Sequence, residues 1–258
     1  MEPLNAVVIQ ELWPYFLVGA RIAGAMLALP GFSETFVNGR VRFFIGLGLT
    51  LIITPMLADS LAQATVGSYH AILLLMGEFF VGIFIGLVAK VVMSALDVAG
   101  TVIGFQMSLA NAFVFNPTQA SQGNIIGVFL SLTALVLIFV MDLHYYMIVG
   151  LYESYDIITP GQMLPFESFS QLMIEVVSKS FMVGAKIAAP FIILGTTVIM
   201  ALGLLNRLMP QVQIYFISQP FIFGIGFFVL AVTLGALMNT FLDFAGVFFR
   251  YFTHGGRV

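Results

Sequence analysis

The sequence predicts an all-α integral membrane protein of helical hairpins, a single domain over residues 1–258 with roughly six to eight helical segments, some of which do not span the bilayer. Three observations carry that prediction. Apolar residues make up 60% of the chain and charged residues only 8%, whereas a soluble domain is about 25% charged. The mean hydropathy is +1.08. Several apolar runs approach or exceed the about 20 residues that a helix needs to cross the hydrocarbon core, yet proline, glycine or isolated charges interrupt many of them.

The first segment covers residues 7–29, carries Arg21 and is closed by Pro30-Gly31. The start, Met1-Glu2-Pro3, lacks the positive region of a cleaved signal peptide, so this segment is expected to stay in the mature protein. A shorter run, 43–54, follows Arg40 and Arg42 and ends at Pro55. Residues 72–96 form a long apolar segment interrupted by Glu78 and Lys90. From 97 to 110 the pattern turns amphipathic, with Gly100, Gly104 and Ser108 on one face and Val98, Val102, Phe105 and Leu109 mostly on another. Residues 109–124, "LANAFVFNPTQASQGN", read as a loop. A further apolar segment runs from 125 to 141 and continues past Asp142 and His144 to about residue 151. An acidic connector with Glu153, Asp156 and Glu167 precedes residues 172–205, one tilted helix or two shorter ones broken at Pro190. "NRLMPQVQ" at 206–213 reads as a turn, and 214–241 is apolar apart from Gln219-Pro220. No internal repeat stands out.

Charge placement makes the loops holding Arg40, Arg42 and Arg207 cytoplasmic and puts the acidic connector on the opposite side. A simple six-span count then leaves Arg250 and Arg257 on the wrong side. Either the last segment turns back or some hairpins do not cross.

Composition and motif content narrow the function. The formal charge of −3 is spread thinly, which favours neither nucleic acid nor acidic lipid as a main partner. With no cysteine, disulfides, iron–sulfur clusters and thiolate catalysis are excluded. Walker, zinc-type HExxH, GxSxG and dinucleotide fingerprints are absent, so no catalytic residue and no cofactor are expected. His70, His144 and His254 lack metal-ligand spacing, and no metal site is expected. His144 reads as a hydrogen-bonded interfacial residue. Arg21, Glu78, Lys90 and Asp97 lie in or beside apolar runs, where pairing with each other or with a partner subunit is the cheapest solution. Glu175 and Lys179 are four apart on one helix face, with Lys186 two turns beyond. Three small-residue spacings, Gly82/Gly86, Gly100/Gly104 and Gly123/Gly127, point to close helix packing.

Residues 98–141 contain no Asp, Glu, Lys, Arg or His. A proton or ion relay needs ionisable groups in the membrane, so this region does not read as one. The 109–124 loop cannot face lipid either, because unpaired backbone groups in hydrocarbon cost several kcal/mol each. It is an ordinary exposed loop with an Asn-Pro turn, or it is a pore constriction, for which its two aromatics argue. A secondary transporter for a small solute is the competing reading of the whole chain. That reading calls for midplane charged or broken-helix sites and usually an inverted repeat, against the neutral centre seen here.

Several stretches together resemble the FliR family, the flagellar biosynthetic protein R, which is itself similar to the T subunit of injectisome export gates. They are Arg21 with "LALPGF" (27–32), "DVAGTVIGFQMSLANAFVFNP" (97–117), His144, "ITPG" (158–161), "AAPF" (188–191) and "NRLMPQ" (206–211), in the family's order. The resemblance covers nearly the whole chain. Its strongest parts are the amphipathic helix leading into Asn116-Pro117 and the turn with Arg207, Pro210 and Gln211. It implies a one-copy subunit of the flagellar type III export gate at the basal body in the bacterial inner membrane. FliP-like and FliQ-like subunits, and an FlhB-like subunit, would be its partners. Unfolded flagellar proteins would be its traffic. The resemblance also implies that the central loop, Phe113, Val114, Phe115, Asn116 and Pro117, helps close the pore, with Gly100, Gly104 and Ser108 as a packed or pore-facing stripe beneath.

The residues suit such a plug. Fixed charges at the narrowest point would trap some unfolded substrates, whereas apolar rings hold back water and ions by dewetting. Burying one phenylalanine is worth about 1.5 to 3 kcal/mol, so Phe113 and Phe115 together make a seal of a few kcal/mol. One charge crossing 100 mV supplies about 2.3 kcal/mol. The seal therefore holds at rest and yields to a driven substrate, with Gly123 and "TQASQG" supplying slack.

Overall fold

The computed structural model describes residues 4–57, 61, 68–109, 125–160, 166–209 and 214–253. Among them are seven helices: α1 (Leu4–Met26), α2 (Gly39–Met56), α3 (Ser68–Gln106), α4 (Ile125–Val140), α5 (Leu143–Ile157), α6 (Phe166–Leu208) and α7 (Ile214–Thr253). Among the described residues four stretches are long and apolar enough to cross a membrane: Gly39–Met56, Ala71–Gln106, Phe166–Leu208 and Ile217–Arg250. The pair α4 and α5, bent by 76°, makes a fifth if it is one span. The first segment read from the sequence is outside this set; Gln10, Glu11, Pro14, Tyr15 and Arg21 dilute its apolar run.

Local chemistry explains where these helices begin and end. After α1 the chain turns through Leu29-Pro30-Gly31, with Gly31 at φ 87°, a left-handed conformation that costs glycine nothing. Asn38 caps α2, its Oδ1 accepting from the backbone N–H of Arg40 at 3.0 Å. Between α4 and α5, Asp142 stands at φ 57°, and Tyr145 N–H donates to the Asp142 carbonyl at 3.0 Å, starting the new helix in a new direction.

Three interruptions visible in the sequence do not end a helix. Residues 72–96 and the amphipathic 97–110 stretch are one helix, α3, up to Gln106. No proline or glycine pair stands near the junction, and the exposed Asp97 accepts from Ser131 Oγ at 3.4 Å. Pro190 lies inside α6 without ending it; the buried Ala188 and Phe191 on either side hold the helix in place, so packing outweighs one lost backbone bond. Likewise α7 passes Pro220 and runs on to Thr253. At 1.5 Å per residue, α3, α6 and α7, of 39, 43 and 40 residues, are roughly 60 to 65 Å long. A hydrocarbon core is about 30 Å thick, so each of the three extends well beyond one bilayer span unless steeply tilted.

The chain forms two compact units: one of Met1–Val92, Phe139–Val176 and Gly246–Val258, the other of Met93–Ile138 and Val177–Ala245. In the first unit α1 lies directly on α3. A Cβ at Gly82 would overlap the Arg21 carbonyl, one at Gly24 would overlap the Phe79 carbonyl, and one at Gly86 would lie 2.7 Å from Ala28 Cβ. Only glycine permits this backbone-to-backbone approach. Phe84 and Phe169 stack at 4.0 Å between ring centroids, and the Arg250 guanidinium sits 5.3 Å from the Tyr146 ring centroid. In the second unit Gly184 of α6 packs on α3, where a Cβ would meet the Ala95 carbonyl at 2.6 Å. Ile103, Leu130, Phe191 and Phe241 are fully buried there.

Candidate functional site

Two places concentrate polar or conformational detail, one in each unit. The first surrounds Arg21, whose side chain is fully buried. Its Nε donates to Glu78 Oε2 at 2.6 Å, Nη1 to Ser154 Oγ at 2.9 Å, and Nη2 to the Ile158 carbonyl at 2.9 Å. The Tyr155 ring lies beneath the guanidinium, 3.7 Å from centroid to Cζ. One cation therefore ties α1 to α3 and to the C-terminal turn of α5, with its charge compensated by Glu78 and spread over a ring face. Ser154, Tyr155 and the Ile158 carbonyl lie more than 130 residues from Arg21 in sequence, and sequence reasoning missed all three. "ITPG", which begins at Ile158, was the nearest signal.

The second is the end of α3, where the charge-free stretch begins. Leu109 N–H donates to the Gly104 carbonyl at 3.0 Å and Ser108 N–H to the Phe105 carbonyl at 3.0 Å. Ser108 stands at φ 58°. This is the Schellman pattern, in which a left-handed residue, usually glycine, stops the helix and satisfies its last carbonyls. Here a serine occupies the left-handed position, which favours a side chain able to bond locally and still strains it relative to glycine. Gln106 and Met107, the residues just before it, fit against Gly195 of α6 and Gly226 of α7.

The remaining candidate residues are scattered. Phe113, Val114, Phe115, Asn116 and Pro117 lie outside the described residues, as do Pro210, Gln211 and Gly123. Gly100 is buried, whereas a Cβ at Gly104 would meet nothing within 4 Å. The stripe is thus a buried glycine, an open glycine and a helix-ending serine in succession. Lys90, Lys186 and Arg207 are exposed, and so are Glu175 and Lys179, one turn apart on α6. The His144 ring stacks on Phe139 at 5.0 Å between centroids, and its buried Nδ1 has no hydrogen-bond partner among the described residues. The Asp142 bend brings the two rings together. Among the described residues no cluster of His, Asp or Glu could hold a metal ion.

Residues 12–246 match the family described as "Bacterial export proteins, family 1". The chain belongs to that family. Relatives of this export protein include the "Flagellar biosynthetic protein FliR" of Caulobacter vibrioides, 31% identical over 232 residues, which cover 88% of this chain and 90% of the relative. The protein of the same name from Escherichia coli is 31% identical over 222 residues, 85% of this chain and 82% of the relative. The "Secretion system apparatus protein SsaT" of Salmonella typhimurium is 28% identical over 176 residues, 67% of this chain and 68% of the relative. The match spans the Arg21 cluster and the end of α3 alike.

Proposed function

We propose that this export protein is a non-enzymatic subunit of the flagellar type III secretion export gate in the bacterial inner membrane, with residues 113–117 as its plug. The observation that carries the reading is the family match across residues 12–246, together with likeness over 85% and 88% of the chain to proteins named for flagellar biosynthesis. FliP-like and FliQ-like subunits assemble with it, an FlhB-like subunit joins them, and unfolded flagellar proteins pass through. Large apolar side chains exposed on α6 and α7, among them Ile193, Leu204, Phe228 and Val232, supply surface for lipid and for such partners.

The plug reading is supported by the lack of ionisable groups in residues 98–141 and by a firmly ended α3 just before the loop. At rest Phe113 and Phe115 close the passage by excluding water. A moving chain displaces them. Deleting residues 112–118 should raise small-ion leak in cells carrying the assembled gate, and unchanged leak would count against the plug. Purification in mild detergent should bring down P-type and Q-type subunits; a solitary monomer with full solute-transport activity would favour a transporter instead.

A further inference from the structure

We propose that the groove between α1 and α2 is a binding site for an anionic phospholipid, with Arg42 taking the headgroup phosphate and the groove taking one acyl chain. The site lies wholly within the first unit, and it does not depend on the plug. The groove has a volume of about 680 Å³. Gly19, Ala20 and Ala23 of α1 and Gly46 of α2 line it, so little side chain fills it, and the exposed Phe16 and Phe43 add apolar rings.

The two helices run antiparallel. A Cβ at Gly46 would lie 3.8 Å from Ile22 Cγ2 and from Met26 Cγ, whereas one at Gly19 would lie 3.5 Å from Thr50 Cγ2. The groove therefore has two unlike ends. Gly39 and Arg42, in the first turn of α2, mark one of them. The lining continues to Leu51, nine residues and about 13 Å along the helix from Arg42. Between them Thr50 Oγ1 donates to the Gly46 carbonyl at 2.8 Å, which leaves α2 an apolar surface there.

Arg42 is only partly satisfied by the protein. Its Nη2 donates to the neutral Glu34 carbonyl at 3.2 Å, and neither Arg42 nor Arg40 forms an ion pair among the described residues. With 18 residues, α2 is roughly 27 Å long, close to one hydrocarbon thickness of about 30 Å. When α2 spans, Arg42 stands at headgroup level and the rest of the groove lies among acyl chains. Its chemistry thus changes with depth in the same order as a phospholipid does, anion-binding first and apolar after. Charge placement makes this end cytoplasmic, the side on which anionic headgroups favour basic residues. The chain's overall charge of −3 gives no general attraction to an acidic surface, so a preference for anionic lipid has to come from a local site.

The test uses the purified protein, with any subunits that accompany it, in phosphatidylcholine nanodiscs. A trace of lipid with a diazirine in its acyl chain is added, either phosphatidylglycerol or phosphatidylcholine, and labelled peptides are mapped after irradiation. The phosphatidylglycerol probe should label residues 16–27 and 43–51 several-fold more than the phosphatidylcholine probe. Arg42→Gln should remove most of that excess. Arg40→Gln should leave most of it, because residues two apart on a helix do not share a face, and Lys186→Gln on α6 should leave all of it. Ala23→Phe, which fills the groove from an exposed position, should lower labelling of the groove by both probes and leave labelling of α6 unchanged. Equal labelling of the groove by the two probes on the unaltered protein would overturn the proposal, since any lipid wets an apolar furrow, and this comparison decides even where a variant does not accumulate. Equal losses in Arg40→Gln and Arg42→Gln would overturn it too, because the charge would then act as a diffuse field and not as a headgroup contact. A photo-crosslinking amino acid at position 23 that joins the groove to another polypeptide, and not to lipid, would give the groove to a partner subunit and overturn it as well.

Discussion

The surroundings of Arg21 and the end of α3 are held together by opposite means. Around Arg21 one buried cation makes three directional hydrogen bonds and a ring contact, and the backbones of α1 and α3 touch at glycines. At the end of α3 the local sequence carries no ionisable group, and the turn is kept by steric fit and backbone hydrogen bonds. A charge desolvated in the interior tolerates little displacement, because any move leaves it unpaired at a cost of several kcal/mol. A shape-fitted apolar turn loses contacts gradually. The first arrangement suits a scaffold. The second would suit the base of the proposed plug.

Breaking the charged cluster should produce the largest effect. Glu78→Leu leaves the Arg21 guanidinium buried without its counter-ion and should cost about 3 to 5 kcal/mol, seen as loss of folded protein in detergent thermal unfolding. Arg21→Met together with Glu78→Leu should recover most of that loss, since two apolar groups replace a pair. No recovery in the double variant would mean that the hydrogen bonds to Ser154 and Ile158, rather than charge compensation, carry the cluster.

Next in size is the glycine contact. Gly82→Ala pushes a methyl into the Arg21 carbonyl and should cost about 1 to 3 kcal/mol, whereas Gly104→Ala, with open space around it, should be neutral or slightly stabilising through helix propensity. Equal melting temperatures for the two would erase the distinction between a packed and an open glycine.

Two smaller effects sharpen the comparison. Tyr155→Leu removes the ring beneath Arg21 and should cost about 0.5 to 2 kcal/mol. Tyr155→Phe keeps the ring and deletes a buried hydroxyl that has no hydrogen-bond partner among the described residues, so it should be neutral or mildly stabilising in the same melt. Ser108→Gly relieves the left-handed strain and should stabilise the turn by about 1 kcal/mol. Ser108→Val should destabilise it by about 1 kcal/mol or more. Limited proteolysis near residue 109 reads both variants, and no difference between them would mean that Ser108 is not the residue that ends α3.

Much of the architecture was legible because lipid imposes strong rules. The apolar runs that became α2, α3, α6 and α7 stand out by composition, whereas the bend at Asp142 falls inside a run that the sequence reads as continuing past Asp142 and His144. Local punctuation left some helix boundaries open. Pro190 and Asp97 look like boundaries to a reader of one strand of sequence, but neighbouring helices supply packing or a hydrogen bond that the local chain lacks. Of the candidate site, Gly100, Gly104 and Ser108 were singled out by spacing as one stripe, although Ser108 serves as the left-handed end of the helix. Nothing in the sequence marked Gly195 or Gly226 above the other glycines of α6 and α7.

The sequence by itself determined that this is a helical membrane protein with a neutral centre and an arginine inside an apolar run in need of a partner, because hydropathy and charge are properties of residues taken singly or in short runs. Only the tertiary structure decided which carboxylate meets that arginine, which aromatic ring supports it, and which glycines receive the end of α3. Those choices depend on side chains far apart in sequence reaching the same few ångströms of space, and that proximity is set by how whole helices pack.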